Sequence, residues 1–80
     1  MTPAVTLYGR PGCHLCDEAR EILLRVRADA PFELAEIDIE RDDDLLQRYL
    51  ERIPVVSLNG QELFDLFVDE AALRHRLSLS

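Results

Sequence analysis

The spacing of apolar and polar positions changes several times along this chain, and each change marks an element. Ala4 to Tyr8 (AVTLY) is a short β-branched and apolar run bounded by Pro3 and Gly9. It reads as a strand buried on both faces. From His14 the spacing turns helical: Leu15, Ala19, Ile22, Leu23, Val26 and Ala30 fall on one side, with Glu18, Arg20, Glu21 and Arg25 mostly opposite. Pro31 disfavours helical geometry in the residue before it, so this helix should end near Ala30. Phe32 to Ile39 (FELAEIDI) reads as a second strand whose alternation slips between Leu34 and Ala35. Either both of its faces are covered or a bulge intervenes.

Asp42, Asp43 and Asp44 precede Leu45, Leu46, Tyr49, Leu50 and Ile53. Carboxylates at a helix start cap free N–H groups and favour the helix dipole, which predicts a second helix here. A cation site would want more oxygen ligands than one short run offers. Pro54 to Leu58 (PVVSL) and Gln61 to Phe64 (QELF) predict third and fourth strands, joined by Asn59-Gly60, a strong hairpin signal. A last helix starts near Asp69, with Val68, Ala72, Leu73 and Leu77 on one face. The order is β-α-β-α-β-β-α, without repeat, linker or low-complexity segment. That predicts one α/β domain over residues 1–80.

Composition narrows the partners. With 48% apolar and 31% charged residues the chain suits an ordinary soluble domain rather than a disordered tail. The net charge is -7, and all nine basic residues are arginine. Such a chain repels phosphate backbones and anionic headgroups, so neither nucleic acid nor a membrane surface is an expected partner. No apolar run approaches the roughly 18 residues that span a bilayer. The start of the chain (MTPAVTLYGRPG) lacks the basic residues and long apolar stretch of a secretory signal. The expected location is the cytoplasm, where a Cys-x-x-Cys pair reads as redox-active or metal-binding.

Both cysteines lie in one stretch, Arg10 to Cys16 (RPGCHLC). The loop they would close is too short to restrain much of the unfolded chain, so the pair points to chemistry rather than stability. Strand, glycine-containing turn, Cys-x-x-Cys and helix place Cys13 at a helix N-terminus, where free amides and the macrodipole favour an anion. Cys16 lies one turn further, close enough to attack a mixed disulfide on Cys13. The pattern therefore assigns Cys13 as nucleophile and Cys16 as resolving thiol. Arg10 and a protonated His14 would favour the thiolate, and Asp17 and Glu18 oppose it. His14 and His75 are otherwise expected at the surface. Two alternatives stay open. Cys13 and Cys16 could hold zinc or an iron–sulfur cluster across a dimer, since one pair supplies half of four ligands. Alternatively the chain is a low-turnover binding domain with Phe64, Leu66 and Phe67 as a partner patch.

The element order, RPGCHLC after the first strand and RIPVV opening the third together resemble the glutaredoxin-like family of the thioredoxin fold, over nearly the whole chain. The resemblance implies a four-stranded mixed sheet with three helices, and a monomer without a tightly bound cofactor. It implies exchange with protein or glutathione disulfides, and a reductase or glutathione that regenerates the pair. By the same resemblance Pro54 is cis and stands beside the dithiol, where Pro54 and the backbone of Val55 would align an extended peptide or glutathione. Arg10 occupies the position of the family's basic residue for a glutathione carboxylate, and Asp69 that of an acidic residue at the last helix start. The chain departs from the family in FDLFVDEAAL, where Leu66, Phe67 and Val68 replace a Gly-Gly pair and would crowd a close backbone approach. It also departs in the His-Leu between the cysteines and in Arg52-Ile53 ahead of Pro54.

Overall fold

Each helix begins on a side chain that accepts a hydrogen bond from its own first turn. A computed structural model describes residues 2–78, which form β1 (Ala4–Gly9), α1 (His14–Asp29), β2 (Glu33–Asp38), α2 (Asp43–Tyr49), β3 (Val55–Leu58), β4 (Gln61–Asp65) and α3 (Glu70–Ser78). The Cys13 sulfur caps α1, and Asp42 caps α2 through the amides of Asp44 and Leu45. Asp69 does the same for α3 through the Ala72 amide at 3.1 Å. These side chains answer donors that no helical carbonyl can reach. At its far end α1 closes on Ala30, whose N–H bonds to the Val26 carbonyl just ahead of Pro31.

The strands form one mixed sheet in the order β2-β1-β3-β4. β1 and β2 run parallel through the α1 crossover, and the pairs β1–β3 and β3–β4 are antiparallel. Asn59 and Gly60 turn the β3–β4 hairpin with φ of 51° and 85°, the positive values such a two-residue turn requires. Asn59 also exchanges hydrogen bonds with Ala4, its N–H donating to the Ala4 carbonyl and its Oδ1 accepting the Ala4 N–H. The hairpin is thereby tied to the start of β1.

Alternation along the strands separates two cores. Val5, Leu7, Val56 and Leu58 pack with Leu23 and Val26 of α1 and Leu73 and Leu77 of α3. Val55, on the other face of β3, packs with Ile39, Tyr49 and Ile53, against which Leu45 and Leu46 of α2 also lie. The element order, the mixed sheet and the three helices are those expected from the sequence.

Several details differ. β1 buries Val5, Leu7 and Gly9 on one face, whereas Thr6 and Tyr8 on the other are only half-buried. β2 is neither covered on both faces nor bulged: its register with β1 is unbroken from Glu33 to Asp38. It is an edge strand with Glu33, Ala35, Glu36 and Ile37 exposed, and Phe32 and Ile39 just beyond its ends supply the burial. The irregularity falls instead in β4, where Val56 faces Phe64 but Ser57 faces Glu62, leaving Leu63 as the extra residue. A single 3-10 turn, Ile39–Arg41, precedes α2, and α2 stops at Tyr49 with Leu50 exposed.

Glu70 joins the two helices of the larger core. Its Oε1 accepts Arg25 Nη2 of α1 at 2.8 Å, and its Oε2 accepts Arg74 Nη2 at 3.0 Å. These bonds, Arg25 first and then Arg74, hold the Glu70 carboxyl below the usual carboxylate range. A carboxyl whose pKa falls on folding contributes stability above its unfolded-state pKa and loses it as pH drops through the folded value. The difference in melting temperature between wild type and Glu70→Gln should therefore be steady from about pH 7 to about pH 5 and shrink below that. A gap that stays constant into strong acid would show that Glu70 ionisation contributes nothing to the α1–α3 contact.

Candidate active site

The site is built where α1 meets the end of β1. Gly12, at φ 76°, turns the chain in a conformation that suits glycine. Cys13 follows in extended geometry, and its sulfur accepts the Cys16 N–H at 3.2 Å while its carbonyl accepts the Asp17 N–H at 3.1 Å. Cys13 and Cys16 are paired as a disulfide with their Cα atoms 5.2 Å apart, a separation ordinary for such a bond. The two sulfurs differ in access: Cys13 is half-buried, whereas Cys16 is 1% exposed.

Cys16 owes its seat to Gly9. A Cβ on Gly9 would stand 2.9 Å from the Cys16 sulfur and 3.2 Å from its Cβ, so any side chain at the end of β1 would push the helix away. With glycine there, Cys16 joins Ile39, Tyr49, Ile53 and Val55, and Cys13 and Tyr8 pack against the same group. The rings of Tyr8 and Tyr49 lie 5.0 Å apart and tilted.

The Ile53–Pro54 peptide bond is cis, as the family resemblance led us to expect. Pro54 is buried, and its neighbours Ile53 and Val55 both belong to the cysteine cluster. The loop ahead of it is fastened to β4. The Leu66 N–H is shared between the Arg52 and Pro54 carbonyls at 2.9 Å each. Arg52 Nε bonds to Asp65 Oδ2 at 3.0 Å, and its Nη2 contacts Glu62. Those two carboxylates, Asp65 first, raise the Arg52 pKa above its ordinary value. Just beyond, the Phe67 N–H bonds back to the Asp65 carbonyl at 2.8 Å, and Leu66 between them has φ 69°. This is a γ-turn of the rarer, left-handed kind.

A groove of about 290 Å³ opens on the other side of Cys16, toward β2, with Gly9, Arg10, Arg20, Glu36 and Asp38 among its walls. Its two cations are answered unequally. Arg20 bonds to Glu36 and to Asp17, which in that order raise its pKa, and Arg10 Nη1 lies 4.0 Å from Glu40.

The residues singled out in the sequence are thus distributed unevenly. Cys13, Cys16 and Val55 come together in one cluster, with Pro54 between its members Ile53 and Val55, and Pro54 and Val55 are both wholly buried. Arg10 lines the β2-side groove, and Asp69 caps α3 outside that groove. His14 is exposed beside Glu18 at 3.4 Å. Of the apolar trio, Leu66 and Phe67 are exposed and Phe64 is half-buried against the larger core. Among the described residues, no three His, Cys, Asp or Glu side chains are grouped to hold a metal ion, and no helix is long and apolar enough to cross a membrane. Sequence reading missed Gly9 as a packing residue, although a glycine closing the strand ahead of Cys-x-x-Cys was a usable signal. It also missed the left-handed Leu66, for which the sequence carries no signal.

A cysteine pair at the start of the first helix, packed with the residues either side of the proline ahead of β3 of this mixed sheet, is the arrangement of a thioredoxin-fold domain. Comparison with known proteins narrows the class. The Glutaredoxin-like domain (DUF836) model matches residues 4–78, and the chain belongs to that family. A glutaredoxin-like protein YDR286C homolog of Dictyostelium discoideum is 30% identical over 79 residues, covering 91% of this chain and 73% of that one. The solution structure of protein Ne2328 from Nitrosomonas europaea superposes with a TM-score of 0.84 at 31% identity, over 95% of this chain and 92% of that one. Chloroplastic thioredoxin z, at 15% identity, shares the fold with a TM-score of 0.77 over 98% of this chain and 77% of its own.

The Gly9 contact makes a direct test of the site's construction. Gly9→Ala should destabilise the domain by about 1–3 kcal/mol, the usual cost of overpacking, read from urea denaturation. A variant as stable as wild type would show that Cys16 can be displaced freely.

Proposed function

We propose that this domain catalyses thiol–disulfide exchange, with Cys13 as nucleophile and Cys16 as resolving thiol. The observation that carries the reading is the unequal access of two sulfurs on one helix turn: Cys13 half-buried and capping the helix, Cys16 1% exposed. In the reduced pair, the Cys16 amide and the helix dipole favour a Cys13 thiolate. That thiolate attacks one sulfur of a substrate disulfide, and the other substrate sulfur leaves as a thiolate. The Cys16 thiolate then attacks Cys13, forming the Cys13–Cys16 disulfide and releasing the second substrate thiolate. Two electrons pass to the substrate, and the released thiolates take protons from water. A dithiol reductase or glutathione must return the pair to its reduced form.

The residues either side of Pro54 pack on the cysteine cluster, and Pro54 with the Val55 backbone is the candidate seat of a substrate chain, reached once that buried backbone is uncovered. Arg10 beside the pair is the candidate partner for an anionic group, and Asp69 the candidate partner for a substrate amine. We assign the reaction to the cytoplasm and to a monomer. A metal role for Cys13 and Cys16 would instead need a second chain to complete the ligands.

The test is to equilibrate the protein in glutathione buffers of graded potential, quench with acid and weigh it. Wild type should lose two hydrogens with a measurable midpoint. Cys16→Ser should accumulate a mixed disulfide on Cys13, and Cys13→Ser should lose disulfide reduction. Cysteines reduced in every buffer, or a native mass carrying metal, would sink the proposal.

A further inference from the structure

The turn at Leu66 combines three features that local sequence does not require. Leucine occupies a left-handed conformation that favours glycine, at φ 69°. The conformation is held from both sides, by the Leu66 N–H to the Arg52 and Pro54 carbonyls and by the Phe67 N–H to the Asp65 carbonyl. The result is that Leu66 and Phe67 stand 44% and 72% exposed, two adjacent large apolar side chains, whereas the next residue, Val68, is buried in the larger core. Strain imposed by the surrounding structure at an exposed position calls for a functional account.

Its position supplies one. Leu66 is hydrogen-bonded to Pro54, and the residues either side of Pro54 pack around Cys13 and Cys16. The turn is thereby fastened to the loop assigned above to a substrate chain. The exposed side chains of Leu66 and Phe67 stand where the chain leaves β4 for α3, and their bulk keeps a small peptide backbone from approaching that turn closely. Charge acts in the same direction. The chain carries -7, and the exposed Asp69 follows two residues after Phe67. That arrangement repels a small anionic disulfide such as glutathione and attracts a basic segment.

We propose that Leu66 and Phe67 set the substrate class of the site, favouring a polypeptide disulfide with an apolar residue beside its cysteine and a basic residue nearby, over glutathione disulfide. This rests on the reading of Cys13 as nucleophile. The exchange step is unchanged; the turn acts on which disulfide reaches the Cys13 sulfur, so Leu66 and Phe67 are specificity-determining and not catalytic.

The experiment uses the full chain with a dithiol reductant and three probes. They are glutathione disulfide, a disulfide-linked peptide with Leu beside its cysteine and Arg nearby, and the same peptide with Ser for Leu. Wild type should show kcat/KM about tenfold higher for the Leu peptide than for the Ser peptide, the scale of discrimination that apolar contacts provide. Leu66→Gly and Phe67→Ser should each bring that ratio toward one, and Leu66→Gly should raise turnover of glutathione disulfide. Glycine suits φ 69°, so Leu66→Gly should melt no lower than wild type, and Phe67→Ser changes a largely exposed position. Equal use of the two peptides by wild type, or ratios unchanged in both variants, would overturn the selectivity while leaving exchange intact. A wild type that reduces none of the probes and forms no adduct on Cys13 would remove the exchange reading and this inference together.

Discussion

The approach of α1 to the end of β1 is the constraint on which the rest of the site depends. Cys16 lies where a side chain on Gly9 would have to be. This one contact lets the first turn of α1 cross from one core to the other. Ala19, Leu23 and Val26 belong to the larger cluster, whereas Cys16 belongs to the group around Tyr49 and Val55. The helix thus spans the end of the sheet and carries its capping sulfur to the rim. The half-exposed Cys13, the Pro54 loop and the groove toward β2 all take their places from that seating.

Arginines fasten the surrounding parts. Arg20 links α1 to Glu36 of β2, Arg25 and Arg74 meet on Glu70, and Arg52 ties the loop before Pro54 to Asp65. Each such exposed pair adds little on its own. Their locations matter more: each spans two elements whose relative position shapes the site, and the guanidinium fork suits such bidentate geometry. Of the two arginines on the groove beside Cys16, Arg20 is therefore committed to Glu36 and Asp17, whereas Arg10 is only 4.0 Å from Glu40.

Much of this was legible in the sequence where the physics is local. Helix starts were readable because the spacing turns helical at His14 and because Asp42 and Asp69 are side chains able to cap, and the hairpin was readable because Asn-Gly suits positive φ. The burial of β2 was not, since its slip in alternation reflects its edge position, and strand order is not written in the period of one strand. The cysteine pair was legible by its spacing, while the cis form of Pro54 was foreseen only through the family resemblance. Gly9 and Leu66 stayed hidden for a shared reason: their conformations answer to residues distant in sequence. Gly9 yields to the Cys16 sulfur, and Leu66 is held by the Arg52 and Pro54 carbonyls.

The open sheet has a further consequence for how copies of this chain meet. Both lateral strands present backbone groups that another strand could pair with, a usual route to aggregation. β2 carries Glu33, Glu36 and Asp38, and β4 carries Glu62 and Asp65 together with its bulge at Leu63. Joining two copies along either margin would set carboxylates near carboxylates, and along β4 the bulge would also break the ladder. Acidic residues along both margins thus work against the sheet polymerising with itself.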